Sequence, residues 1–372
     1  MQEQEITLYP SNWLYNAGVV GFLSYLERDD YLQNHNGDRF NFNDNYVRIN
    51  NQVFININVN DNYFENGKVI NLKGKNQYYP NFIDVKGNQK WVFENFVKEF
   101  SNQIDNSKGC SLCSTPLYIL KENINPDLHN NQQNIDQKDQ FFNKIENLNM
   151  IHNKLLGPSD KFPNAYWNMR DKFPICHLCT FILIHNHLAL TKLSDGSEIF
   201  INALSFKVMY EMNKLVKELF GKEEIAGKQK SEILAMSVIE YSRRLNVSLG
   251  LWNQMNLEII IKLNNSIDTY SLPYETVNLI SDRKIASLLS EIGEFSVLDS
   301  LLDNEEDRLL DIAYRLIRIG MKPAQDRNKS DNALVNSFLH KEHNKNNILN
   351  VSQKILELYA NINERRKTYA RR

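Results

Sequence analysis

The sequence predicts an α+β chain in two domains. A mixed domain over residues 1–204 carries antiparallel strands and a four-cysteine zinc-knuckle site, and an all-helical bundle follows over 205–372. Three observations predict it. From Phe40 to Val85, Val47, Ile49, Val53, Ile55, Ile57 and Val59 alternate with mostly polar residues, the period of half-buried antiparallel strand. After Ser205 the period becomes helical, interrupted only by Gly221, Gly227, Gly250, Gly293, Gly320 and two prolines. Ahead of that change stand all four cysteines of the chain, as two C-x-x-C pairs.

Composition bounds the answer. With 372 residues, two domains are expected, and 42% hydrophobic residues suffice for a sizeable core, which excludes disorder throughout. Forty-three Lys and Arg against 45 Asp and Glu exclude a globally basic protein. No apolar run reaches the roughly 18 residues of a membrane span. Met1-Gln-Glu-Gln-Glu lacks the basic start of a signal peptide, so a cytoplasmic location without membrane contact is expected. Asparagine is abundant, with 51 residues, but an AT-rich coding sequence produces that bias without selecting any chemistry.

The elements follow in order. Residues 11–27 read as a helix, with Ser11 as N-cap and Trp13, Leu14, Ala17, Val20, Leu23 and Leu26 at helical spacing. Gly18 and Gly21 lie three apart on one side and leave a groove for close packing or for a partner. Glycine in a helix costs about 1 kcal/mol relative to alanine, so two of them require a reason. Gly37, Asn66-Gly67, Gly74 and Gly87 mark turns between strands. Residues 90–104 return to helix through Trp91, Phe93, Phe96, Val97 and Phe100. The polar stretch 121–140 reads as an exposed excursion, and Ile199-Phe200-Ile201 as a short strand. Helices are expected over 205–220, 229–245, 250–266, 282–302, 305–320, 332–340 and 348–362.

Cys110-x-x-Cys113 and Cys176-x-x-Cys179 have the arrangement of a tetrahedral four-thiolate zinc site, because two-residue spacing lets both thiolates of a pair face one ion. Four thiolates leave no open position for water, so the zinc would be structural. The 62 intervening residues make it a clamp between distant loops. Buried unmetallated thiols and a redox dithiol are the rivals. The redox reading needs a helix N-terminus in a thioredoxin-like unit, and both pairs read as loops. His177, His185 and His187 lie nearby and become ligands only if a cysteine is displaced.

Charge is polarised along the second half. Residues 291–311 hold eight acids and one base, and residues 312–372 hold thirteen bases and five acids. Arg315 and Arg318 share a helix face, with Lys322, Arg327, Lys329 and the terminal Arg365, Arg366, Lys367, Arg371 and Arg372 nearby. Such polarity suits a phosphate backbone, although the acidic and basic stretches can also pair with each other. The phosphate-loop, dinucleotide, serine-hydrolase and H-E-x-x-H signatures are absent, and no catalytic residues stand out. The acids of 299–311 would be the metal site of a zinc-stabilised nuclease, the alternative reading.

The string Asn12-Trp13-Leu14-Tyr15-Asn16-Ala17-Gly18-Val19-Val20-Gly21-Phe22-Leu23, the paired C-x-x-C and Ile199-Phe200-Ile201-Asn202 resemble the CRISPR-associated CXXC–CXXC protein. That family is the large subunit of type I Cascade complexes of the I-A/I-B kind. The resemblance spans about 200 residues, and the chain is shorter than typical members. It implies a subunit that is not an enzyme, sits at the crRNA 5′ end beside Cascade backbone subunits, and reads the PAM in target DNA. It would help open the duplex and recruit a helicase–nuclease. The expected front-half contacts are two turns, Lys73-Gly74-Lys75-Asn76-Gln77 and Lys86-Gly87-Asn88-Gln89-Lys90. Arg315, Arg318, Lys322, Arg327 and Lys329 would hold a DNA strand. Relatives also make their helical part separately as a small subunit, which makes Met236 and Met255 candidate internal starts.

Overall fold

A computed structural model describes residues 5–27, 39–43, 45–50, 53, 96, 110, 112–113, 132–149, 172–193, 195–220, 230–244, 256–263 and 266–370. The chain divides into two compact units, Met1–Glu224 with Ile260–Thr269, and Ile225–Ile259 with Tyr270–Arg372. The elements are mixed α and β, as expected, and no described helix is long and apolar enough to cross a membrane.

The first unit is built around helix α1 (Trp13–Glu27), in which every residue from Trp13 to Leu23 is buried. A helix that is apolar all round has no solvent face to offer and becomes a core element. Its N-cap is Asn12, one residue later than the sequence suggests: Asn12 Oδ1 accepts from Tyr15 N at 3.0 Å. Ser11 is instead gripped by Asn16, whose Oδ1 accepts from Ser11 N at 2.8 Å and whose Nδ2 donates to Ser11 O at 2.9 Å.

Three short strands flank this start: β1 (Glu5–Leu8), β2 (Phe40–Phe42) and β3 (Val47–Asn50), in the antiparallel order β1-β3-β2. Val47 and Ile49 point into the core, as their alternation requires. The alternation does not run on: Val53 is buried in helical conformation, because β-branched residues accept helix where burial rewards it. The expected hairpins beyond it and most of the helix expected over 90–104 lie outside the described residues, although Phe96 is helical and fully buried.

Helix α2 (Gln132–Ile145) replaces part of the excursion expected over 121–140. Its polar residues outnumber its apolar ones, but Phe141, Phe142 and Ile145 at its end are fully buried and give it a reason to fold. Strand β4 (Asn147–Asn149) pairs antiparallel with β5 (Lys172–Pro174). Helices α3 (His177–Leu183) and α4 (Asn186–Ala189) follow, then β6 (Thr191–Lys192), β7 (Glu198–Asn202) and α5 (Phe206–Phe220).

The glycines of α1 are occupied by backbone. A Cβ on Gly18 would lie 2.7 Å from the Ile182 carbonyl oxygen, and one on Gly21 would lie 2.1 Å from that of His185. Carbonyls cannot retreat as a flexible side chain can, so α3 and α4 sit on α1 at a distance only glycine permits. Asn16 Nδ2 also donates to Asn202 Oδ1 at 2.9 Å, which joins the start of α1 to the end of β7.

The helix expected over 250–266 is corrected by the structure. Residues Glu258–Leu263 form β8 and Ser266–Ser271 form β9, extending the sheet to β6-β7-β8-β9. Ile259, Ile260 and Ile261 are three consecutive β-branched residues, which favour strand over helix when the run is short. Residues 260–269 thereby belong to the first unit, and Lys262 Nζ meets Glu198 Oε2 at 2.7 Å.

The second unit is helical. Helices α6 (Lys230–Arg244), α7 (Tyr274–Ile280), α8 (Arg283–Ile292), α9 (Phe295–Leu302), α10 (Glu306–Gly320), α11 (Lys329–Phe338), α12 (Glu342–Asn346) and α13 (Ile348–Ala370) compose it. The single helix expected over 282–302 is two, because Gly293 takes φ 65° as the left-handed cap of α8. α13 packs against α8 and α10, and α6 against α8. Buried Glu294 is satisfied by donors: the backbone N–H groups of His340 and Lys341, and Asn344 Nδ2 at 2.6 Å.

The α1 contact yields a direct expectation. Gly21→Ala should lower stability by about 1–3 kcal/mol or more, the range for overpacking against an unyielding neighbour. Thermal or denaturant unfolding checks this, with Ala17→Gly on the same helix expected to cost only about 1 kcal/mol plus its lost methyl. Equal midpoints for Gly21→Ala and the unaltered chain would show that the backbones are not in contact.

Candidate metal centre and basic helix face

The chain enters the second cysteine pair from β5, whose pairing with β4 is prolonged by Ile175 N donating to Glu146 O at 3.0 Å. Cys176 is then the N-cap of α3, with its sulfur accepting from Cys179 N at 3.4 Å. This pair therefore lies on a helix start rather than in a loop, because its sulfur satisfies an N–H that the first helical turn leaves open. The flanking β4 and β5 are antiparallel, so the parallel unit of thioredoxin-like proteins is not formed here. The first pair brings Cys110 and Cys113, with Leu112 N donating to Cys110 Sγ at 3.4 Å. Cys176 N also donates to Cys110 Sγ, at 3.3 Å, which stitches the two pairs together.

All four sulfurs lie within 4.8 Å of one another. Cys110 Sγ is 3.6 Å from Cys179 Sγ, and Cys113 Sγ is 3.5 Å from Cys176 Sγ. A disulfide needs about 2.05 Å, so the cysteines are free thiols. A four-thiolate tetrahedron with metal–sulfur bonds of about 2.3 Å has edges of about 3.8 Å. The cluster has the size and the donor chemistry to hold one tetrahedral metal ion.

The local electrostatics point the same way. Hydrogen bonds from Cys113, Cys176 and Cys179 hold the Cys110 thiol far below its ordinary pKa, so one thiolate is favoured. Burial, followed by the neighbouring sulfurs, pushes Cys179 well up. The hydrogen bond it gives Cys110 raises Cys113. One negative sulfur is stabilised and further ones repel it, so ionising all four requires a cation among them.

One group beside the cluster, Tyr15, was not legible as part of it, whereas His177 was. Tyr15 on α1 is fully buried, and among the described residues its hydroxyl has no hydrogen-bond partner. Burial, then the charges of Cys179, Cys113, Cys176 and Cys110, drives its pKa well up. His177 is 1% exposed, and its Nε2 lies 3.2 Å from Glu146 Oε1. His185 is buried with Nδ1 2.9 Å from Phe181 O, and burial lowers its pKa to about 3, so it is neutral. His187 Nδ1 is 3.0 Å from Ile184 O. The histidines are thus engaged elsewhere, and among the described residues the group that could hold a metal ion consists of the four cysteines.

The structure sorts the basic residues of the second unit. Arg315 and Arg318 are exposed on α10 and make no ion pair with any described residue. Tyr314, on the same surface, is 60% exposed, and Met321 is 74% exposed. Lys322 differs: its Nζ meets the buried Asp331 carboxylate at 2.6 Å, inside the Asn328–Asp331 capping box of α11. Arg327 is half-buried, with its Nε buried and without a partner among the described residues, and Lys329 is exposed in the first turn of α11. Arg365 pairs with Asp282 and Arg366 with Glu306, so part of the terminal basic set is spent within the fold. Lys73, Lys75, Asn76, Gln77, Lys86 and Lys90 lie outside the described residues.

These geometries separate three variants. Cys113→Ser should lower the unfolding midpoint and the bound metal together, and a chelator should reproduce that loss in the unaltered chain. Tyr15→Phe should keep the metal and match or exceed the parent stability, since an unpaired buried hydroxyl costs about 1–3 kcal/mol. Lys322→Met should destabilise the chain at neutral pH. Lys322 holds Asp331 below the ordinary carboxylate range, so this stabilisation is complete at neutral pH and disappears as acid protonates Asp331 through its lowered pKa. The difference between variant and parent should therefore shrink in acid, as denaturant titrations at two pH values would report.

Comparison of the chain with protein-family models, with curated proteins and with solved structures finds no match.

Proposed function

We propose that the chain is the non-catalytic large subunit of an RNA-guided CRISPR interference complex of the Cascade type, with one structural zinc held by Cys110, Cys113, Cys176 and Cys179. One observation carries the reading. The short strings that resemble the CXXC–CXXC family are far apart in sequence, yet they meet in one packed body: Gly18 and Gly21 receive the backbone of Ile182 and His185, and Asn16 bonds Asn202. The four cysteines close the same body.

Zinc is the metal that suits this donor set. Four thiolates at tetrahedral spacing with no oxygen ligand favour a borderline-soft, redox-inert ion that keeps no open site. Its part would be to hold two distant segments together rather than to act on a substrate.

Two features of the second unit support contact with nucleic acid. Arg315 and Arg318 form no ion pair with a described carboxylate, although Arg318 adds to the field that lowers Asp331, and Tyr314 on the same helix is exposed. Cations next to an exposed aromatic suit a strand whose phosphates and bases are both within reach. The complex would read the PAM in target DNA through this subunit, open the duplex and recruit a helicase–nuclease, with guide pairing supplying the sequence.

The decisive experiment is co-expression with crRNA and candidate backbone subunits, followed by purification through a tag on this chain. Recovery of crRNA-bearing subunits is the expected result. A chain that purifies alone and cuts DNA with added metal would replace this reading with a nuclease.

Within an assembled complex, Arg315→Glu with Arg318→Glu should weaken DNA binding on every sequence and flatten its salt dependence by about one to two counterions. Filter binding at several salt concentrations measures both. An unchanged salt slope would remove this helix face from the contact.

A further inference from the structure

The helical unit contains a cavity of about 410 Å³ lined by residues of α7, α10, α13 and the turn after α9. Its walls include Pro273, Leu279 and Leu301, with Tyr274 beside them. Thr276 and Asn304 line it too, beside the paired or charged Asn278, Glu275 and Glu306. Thr276 is 3% exposed, and among the described residues neither its hydroxyl nor the Asn304 amide is taken up by a hydrogen bond. Arg366 stands at the rim with its side chain about half exposed, paired on one side with Glu306.

Asn304 has the one positive φ of a non-glycine residue among those described, 57°. The cause is the end of α9. Glu305 N donates to Ser300 O at 2.7 Å and Asn304 N to Leu301 O at 3.2 Å, which is a Schellman cap with Asn304 in its left-handed position. The cap needs only the backbone conformation, so the Asn304 side chain is left over for the cavity.

The chemistry of these groups selects the ligand. A wholly apolar occupant would strip water from the Thr276 hydroxyl and the exposed Asn304 amide without replacing its hydrogen bonds, which is costly. A bare anion would have only the Arg366 N–H groups that Glu306 leaves open, against the charges of Glu306 and Glu275, so a ring must supply most of the binding. A flat ring carrying donors and acceptors on its edge satisfies both polar groups and covers the leucines. A phosphate attached to that ring could use the remaining N–H groups of Arg366, since guanidinium offers five donors. The volume lies within the range of small-molecule pockets and exceeds one nucleotide.

We propose that this cavity is a nucleotide pocket, taking a nucleobase against Thr276, Asn304 and the leucine wall with its phosphate on Arg366. The inference deepens the nucleic-acid reading above and rests on it for the source of the nucleotide, which is an unpaired base of a bound strand. A free nucleotide has the same chemistry.

The test uses the full chain and the four ribonucleoside 5′-monophosphates, followed by isothermal calorimetry or ligand-observed NMR. Saturable binding of at least one of them below millimolar concentration is expected. Asn304→Gly keeps the favoured cap residue and removes the amide, and Thr276→Val keeps the shape and removes the hydroxyl. Each should weaken that binding about fivefold, the worth of one hydrogen bond, with an unchanged unfolding midpoint for Asn304→Gly. Tighter binding of a 5′-phosphorylated oligonucleotide than of its mononucleotide supports the pocket and assigns it to a strand. Binding of the mononucleotide alone supports the pocket and assigns it to a free ligand. Absence of saturable binding, equal competition by inorganic phosphate, or parent affinity in both variants would overturn it. If the pocket fails while the assembled complex still loses DNA through Arg315→Glu with Arg318→Glu, the functional reading stands without it. Mononucleotide binding by a chain that never joins crRNA-bearing subunits would leave the pocket and remove that reading.

Discussion

The seating of α3 and α4 on the glycine side of α1 is the contact on which the rest of the first unit depends. Ile182 and His185 press their carbonyls where any Cβ on Gly18 or Gly21 would stand. That approach sets the height and angle of α3, and α3 carries Cys176 at its cap and Cys179 one turn later. Two sulfurs placed by a helix can meet two placed by a distant segment only if the helix cannot drift. A metal ion held there would neutralise four sulfurs that resist being ionised together.

The second unit divides its charge between structure and surface. Lys322, Arg365 and Arg366 are committed to Asp331, Asp282 and Glu306, and Glu240 is flanked by Arg243 and Arg244. Only Arg366–Glu306 among these, and Lys354–Glu291 beside them, join the acidic stretch 291–311 to the basic one. Arg315 and Arg318 lie outside this pairing, and the distinction arises from position on α10 rather than from charge count. A run of basic residues in a sequence overstates the charge available to a ligand by whatever the fold itself uses.

Much of this was legible in the sequence where the signal was local. Two glycines three apart on an apolar helix announced a close approach, and the paired C-x-x-C announced the sulfur cluster. Helix α10 followed its periodicity to within a residue. Signals that depend on distant chain were not legible. The β8 strand was read as helix because a short isoleucine run fits either period until a sheet edge at β7 decides it. Asn16 displaced Ser11 from the cap through a bond network reaching Asn202, 186 residues away. Tyr15 carries no signal of its own in the sequence, and only the placement of the cysteines near it shows that their charges act on its hydroxyl. The cavity at Thr276 and Asn304 has no motif at all, since three separated helices and a turn create it.

X-ray absorption at the zinc edge on the purified full chain tests the central claim most directly. The account predicts one zinc per chain in a shell of four sulfur scatterers at about 2.3 Å, with no nitrogen or oxygen in that shell. A well-folded chain that holds no metal, or a metal shell containing histidine or water, would contradict it.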